Sequence, residues 1–246
     1  MVPKTWVKFI VGLFLLPVAW VLTKSFGETL VSALQHGLLG TKAFLFFLGG
    51  IVLWGLAFFV LPRSALLLSY VYGHEITHAI WVKLFGGKVA ERFYVSLKGG
   101  HILTDRVNTW IALAPYFFPI YSALILSIYG VAKLFTEVSA FQWVMCLLLG
   151  FTLAFHLTFT CILIAQGQPD LHYGGTFFSM MVIYVINLLI LTVLLLATAP
   201  HESMKDFGER LFINLEQFVE WVNWFLREGS LLLERLWKTV ELKLKK

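Results

Sequence analysis

Apolar residues fall along this chain in blocks of about twenty, the length at which a helix crosses the hydrocarbon core of a bilayer. Residues 6–23, 43–61 and 64–84 are the first three. A fourth begins near Thr109 and is interrupted by Pro115 and Pro119, a fifth covers 141–165 and a sixth 177–198. The pattern predicts about six transmembrane helices. Lys4 and Lys8 flank the first block as in a signal peptide, but no small-residue cleavage pattern follows, so it reads as a retained helix. Residues 85–107 change character: "RFYVSL" and "HILT" lie either side of Lys98-Gly99-Gly100 and predict a membrane-associated β-hairpin. After Pro200 the pattern becomes amphipathic. Phe207, Leu211, Leu215, Phe218, Val222 and Phe225 recur at helical spacing, with Glu209, Glu216, Glu220 and Arg227 among them. A helix lying on the bilayer surface fits, or one docking a partner, with a break at Gly229-Ser230.

Composition agrees with this reading. The 246 residues are 59% hydrophobic and 13% charged, about half the charged share of a soluble domain, and mean hydropathy is +0.82. An all-α integral membrane protein is expected. It divides into two N-terminal helices (1–63), a core (64–199) and the amphipathic segment (200–246). The formal charge of +5 sits in short loops and the C-terminal end, which suits anionic lipid head groups and calls for no nucleic-acid partner. Two cysteines, Cys146 and Cys161, share one apolar segment and build no disulfide framework.

The third block carries His74-Glu75-Ile76-Thr77-His78, the H-E-x-x-H spacing. On a helix the two histidines lie one turn apart on one face, so both imidazoles reach one ion. Glu75 stands beside them, where it can take a proton from a water on that ion. A pair of packing histidines is the plainer alternative, but an ionisable Glu75 in an apolar helix is costly without a function. A catalytic zinc usually has three protein ligands, so a third should exist. Between Glu137 and Glu202 there is no Lys or Arg and one acid, Asp170, beside Pro169. Asp170 is the first candidate and His172 its rival; capping the sixth helix is the other reading of Asp170. His156 reads as a helix-packing histidine, with support of the ligands or of substrate as its other reading.

Together these residues resemble the site-2 protease family of intramembrane zinc metalloproteases. The matches are His74, Glu75 and His78, then Pro169 and Asp170 with Gly174-Gly175 after them, and the hairpin with "LAPYFFP" between. The resemblance covers about residues 64–185. It departs where Leu171-His172-Tyr173 separate the aspartate from the glycines, and no insert is long enough for a PDZ domain. In the family an amide stands several residues before the aspartate, and only through that resemblance are Gln166 and Gln168 candidates for supporting the ligands. The resemblance implies one Zn²⁺ per chain held by His74, His78 and Asp170, with Glu75 as general base. The substrate would be a transmembrane protein. An exposed edge in 92–104, with Arg92, Phe93, Tyr94, Val95 and Ser96 as candidate contacts, would hold its unwound segment as an added strand; a plain surface hairpin is the other reading of that stretch. It also implies a bacterial inner membrane, with the active site nearer the cytoplasmic face. Two other functions fit the motif: a membrane metalloprotease cutting soluble or lipidated peptides, and a non-proteolytic metal-binding membrane protein.

Overall fold

The computed structural model describes residues 5–244. Its order is α1 (Thr5–Gln35), α2 (Lys42–Val60), α3 (Arg63–Leu84), β1 (Val89–Ser96), β2 (Gly99–Thr104), α4 (Thr109–Phe117), α5 (Ile120–Phe135), α6 (Gln142–Gln166), α7 (Pro169–Tyr173), α8 (Thr176–Thr198) and α9 (Met204–Leu244). The two strands form one antiparallel hairpin with Phe93 opposite Ile102 and Ser96 opposite Gly99. Gly99, at φ +123°, opens the second strand, so the paired glycines stand just past the turn rather than forming it.

Four helices among the described residues are long and apolar enough to cross a membrane: α1, α2, α8 and the stretch Ser139–Gln166 that contains α6. A fifth span results if α4 and α5, bent by 76°, are taken together. The expected count of six is therefore not reached. The missing one is α3, which at 22 residues is long enough but carries Arg63, His74, Glu75, His78 and Lys83. Arg63 and Lys83 at its ends are exposed, whereas His74, Glu75, Thr77 and His78 in its middle are all buried. Large apolar side chains point outward instead, among them Phe14, Phe59, Leu134 and Phe135, at 73–83% exposure. That surface suits a lipid solvent better than water.

Helices α2 and α6 approach most closely at two glycines. A Cβ on Gly50 would fall 2.0 Å from the Leu147 carbonyl oxygen, and one on Gly150 would fall 1.9 Å from that of Phe47. Such small-residue contacts let helix backbones meet where lipid removes the usual hydrophobic drive. The aromatic core then forms around Trp54, Tyr70, Tyr116, Phe155 and Phe159, clamping α3 between α4 and α6.

Helix α1 continues past the apolar block to Gln35, and its extension is a polar seam for α9. Asn214 Nδ2 donates to Ser25 Oγ at 3.0 Å, and Arg210 donates to Thr29 and Ser32 while pairing with buried Glu202. Phe207 seats between Leu22 and Leu188. The first turns of α9 therefore dock on the chain's own α1. Beyond them the helix runs unbroken through Gly229-Ser230, where a break was expected, and Ser230 Oγ donates back to the Arg227 carbonyl. One glycine costs a helix about 1 kcal/mol, which the flanking turns absorb.

Candidate metal centre

Helix α3 delivers His74 and His78 to one side, their rings 4.8 Å apart. The opposing group comes from α7, a single turn cut out of the chain by two glycines at positive φ, Gly167 (+71°) and Gly175 (+87°), with Pro169 at its first position. These breaks stop α6 from running on into α8 and set Asp170 against α3. Asp170 Oδ2 lies 3.4 Å from His74 Nε2 and 3.5 Å from His78 Nε2. With ligand bonds of about 2.1 Å, neighbouring donors on a zinc tetrahedron stand about 3.4 Å apart. These spacings fit one small cation.

The tautomer of His78 sharpens the point. Its Nδ1 lies 2.8 Å from the Ile111 carbonyl oxygen, which only accepts, so Nδ1 carries a proton. In the neutral ring Nε2 then presents a lone pair to a carboxylate oxygen, an arrangement that repels unless a cation or a proton intervenes. The donor set of two imidazoles and one carboxylate is a common one for zinc. His74, His78 and Asp170 are the one group of three such residues among the described residues able to hold a metal ion.

Tyr116 supports the aspartate. It is fully buried, its hydroxyl donates to Asp170 Oδ2 at 3.3 Å, and its ring meets His74 edge-on at 5.2 Å. Sequence reasoning passed over Tyr116; its signal was a tyrosine between the two prolines of "APYFFP". Glu75 is buried beside the histidines and faces the hairpin. A Cβ on Gly100 would come within 2.6 Å of Glu75 Cγ and 2.8 Å of Oε1, so the backbone of β2 lies directly on the carboxylate.

All four groups line a cavity of about 480 Å³. Its strand wall is β2, through Gly99 to Ile102 and Thr104, with Lys98 of the preceding turn. The expected strand residues lie elsewhere: Phe93 packs on Tyr72, Tyr94 on His101, and Ser96 Oγ donates to the Gly99 carbonyl. Val95 pairs with Gly100 in the ladder, and the Arg92 side chain falls outside the described residues. Because β1 is the far strand of the pair, an edge facing the cavity can only be that of β2. His172 points away, with Nδ1 3.0 Å from Thr176 Oγ1, and does not join the ligand group. Gln166 is exposed at the end of α6, whereas Gln168 lines the cavity. His156 is buried on α6 behind His74. Lys8, seen above only as a charge beside the first apolar block, is buried too and donates to Thr109 Oγ1 and the Tyr173 carbonyl, tying α1 to the end of α7. Lys4 lies outside the described residues.

No protein-family profile, curated protein or solved structure matches this chain. Function therefore rests on the chemistry of its own residues.

Proposed function

We propose that this chain is a zinc-dependent intramembrane peptidase of the site-2 type, hydrolysing a peptide bond in or near a transmembrane segment of its substrate. The observation that carries this reading is the meeting of His74, His78 and Asp170, with Asp170 Oδ2 within 3.5 Å of both Nε2 atoms, beside a buried glutamate. His74, His78 and Asp170 would hold the zinc, which when bound acidifies water and offsets charge developing on the scissile carbonyl oxygen. Glu75 takes the proton of the attacking water and passes it to the leaving nitrogen as the C–N bond breaks. Tyr116 holds Asp170 in place. The products are a carboxylate and an amine, so the hydrolysis needs no other reactant.

The cavity supplies the room that hydrolysis needs in lipid, a wet space walled by protein. An unwound substrate segment would run along β2, whose backbone covers Glu75. The bilayer is the surrounding solvent and the second partner. A bacterial inner membrane, with the hairpin on the cytoplasmic side, is the setting we propose.

The deciding measurement is zinc per chain by mass spectrometry on purified wild type and Asp170→Ala, paired with labelling of new N-termini in membranes from cells making wild type or Glu75→Gln. Near-stoichiometric zinc lost in Asp170→Ala, with transmembrane fragments that vanish in Glu75→Gln, is the expected result. Wild type that takes up no zinc ends the reading. Zinc with no Glu75-dependent fragment leaves a non-proteolytic metal protein.

A further inference from the structure

Two buried ring nitrogens near the proposed metal centre have no hydrogen-bond partner, His74 Nδ1 and His156 Nε2. Leaving one buried polar group unsatisfied costs about 1–3 kcal/mol, so two side by side call for an explanation. Both rings line the same small cavity, which is walled by Tyr70, Thr77, Phe155 and Pro115 and is separate from the large cavity in front of Glu75. Its free volume is about 10 Å³, close to the least that seats one water. Thr77, whose hydroxyl donates to the Gly73 carbonyl at 2.8 Å, adds a third polar group to the wall.

The protonation of each ring is set from its far side. His74 Nε2 faces Asp170, so with a cation there its proton must reside on Nδ1, which becomes a donor. Nε2 of His156 has no partner, so the bonds that its ring makes with the Tyr116 backbone and the Asn187 side chain fall to Nδ1. The Tyr116 carbonyl is free of the helix because α4 ends at Phe117, and Asn187 Nδ2 also donates to it, at 2.9 Å. A carbonyl only accepts, so His156 is protonated on Nδ1 and its Nε2 is an acceptor. One orphan is a donor and the other an acceptor, across a space that fits one water.

We propose, resting on the zinc reading above, that His156 is a positioning residue for the metal centre. Through one buried water its Nε2 accepts the Nδ1 proton of His74, which fixes the tautomer and ring angle that leave His74 Nε2 free to bind the ion. Metal-binding histidines elsewhere depend on such a partner for their second nitrogen, and losing it costs 10- to 100-fold in metal affinity, on the order given by mutational surveys. Here Tyr116 serves two of the three ligands, Asp170 directly through its hydroxyl and His74 by way of His156 through its carbonyl.

The test is zinc affinity by chelator competition on the purified full chain, in wild type, His156→Leu and His156→Gln, with the melting of each zinc-free protein measured alongside. Leucine fills the volume without an acceptor; glutamine places an oxygen near the Nε2 position. The expected result is a loss of about 10- to 100-fold in His156→Leu, largely restored in His156→Gln. Equal zinc affinity in wild type and His156→Leu overturns this inference alone, while a wild type that binds no zinc overturns the metal reading and the inference with it. Should His156→Leu fail to fold, ¹⁵N-histidine NMR of the zinc-loaded wild type decides: a proton on His156 Nδ1 is expected, and a proton on its Nε2 refutes the arrangement.

Discussion

Gly100→Ala isolates the proposed general base from the proposed ligands. The new methyl carbon would stand 2.6 Å from Glu75 Cγ, 2.8 Å from Oε1 and 2.9 Å from Cδ. Comfortable carbon contacts begin at about 3.5 Å, so the Glu75 side chain must retreat by about 1 Å. It is the far end of a flexible side chain beside a cavity, so the fold should survive, at an overpacking cost of about 1 kcal/mol. A base displaced by about 1 Å from its working position loses about 100-fold in rate, equivalent to about 2.7 kcal/mol of barrier. Glu75 is not among the three grouped donors, so zinc per chain should not change. The assay is single-turnover cleavage of a transmembrane substrate found through the Glu75→Gln comparison, with zinc measured on the same preparations. Gly49→Ala, where a Cβ meets nothing within 4 Å, is the control. Wild-type cleavage by zinc-loaded Gly100→Ala would refute the role given to Glu75 and the claim that β2 presses on it.

Other perturbations read other parts of the molecule. Tyr116→Phe keeps the ring packing but removes the hydroxyl on Asp170, and should weaken zinc affinity about tenfold in a chelator competition without lowering the melting temperature of the zinc-free chain. Gly150→Ala drives a methyl into the Phe47 carbonyl and should separate α2 from α6 at a cost of about 3 kcal/mol or more, seen as a lower melting temperature in detergent. The Glu202 carboxyl is held below the ordinary carboxylate range by its hydrogen bonds from Arg210. Its contribution to docking α9 is therefore complete above the unfolded value of about 4.3 and is lost as pH falls through the lower folded value. Proteolysis of α9 should accelerate at that acid end, and Glu202→Gln should flatten the response.

The ends of the apolar blocks were legible in the sequence because burial in lipid demands long unbroken runs; α2, α6 and α8 begin and end within a residue or two of the expected positions. The hairpin was legible from its glycines and β-branched residues. Three features were not, each for a physical reason. Helix α1 outruns its apolar block because Ser25, Thr29 and Ser32 find partners on α9, nearly two hundred residues away. The seam also explains why an amphipathic stretch read as interfacial begins by docking on the chain itself. At the site, His74, Glu75, His78 and Asp170 were named from spacing and from the cost of charge in an apolar setting, and a substrate edge was sought in 92–104 without a choice between its strands; the cavity is lined by the second. Alternation along a strand does not reveal which strand of a hairpin lines a cavity; the packing of Gly100 on Glu75 does.

The breaks in the helices and the chemistry of the site have one cause. In lipid a carbonyl released from a helix must find a donor inside the protein or in a wet cavity, so interruptions are tolerated only there. The end of α4 at Phe117 leaves the Tyr116 carbonyl free, where it meets Asn187 and His156. The Gly167 and Gly175 turns release the single turn that carries Asp170 to the histidines, and Lys8 takes the Tyr173 carbonyl at its end. Each interruption thus feeds a polar group toward α3, while α2, which has no proline or charged residue after Lys42, carries none of the ligands. A helix healed at one of these points should bury the same apolar surface yet lose the site. Gly175→Ala, which strains a backbone at φ +87°, should therefore weaken zinc binding more than it weakens the fold, and the reverse order would show that α7 is held by packing rather than by its turns.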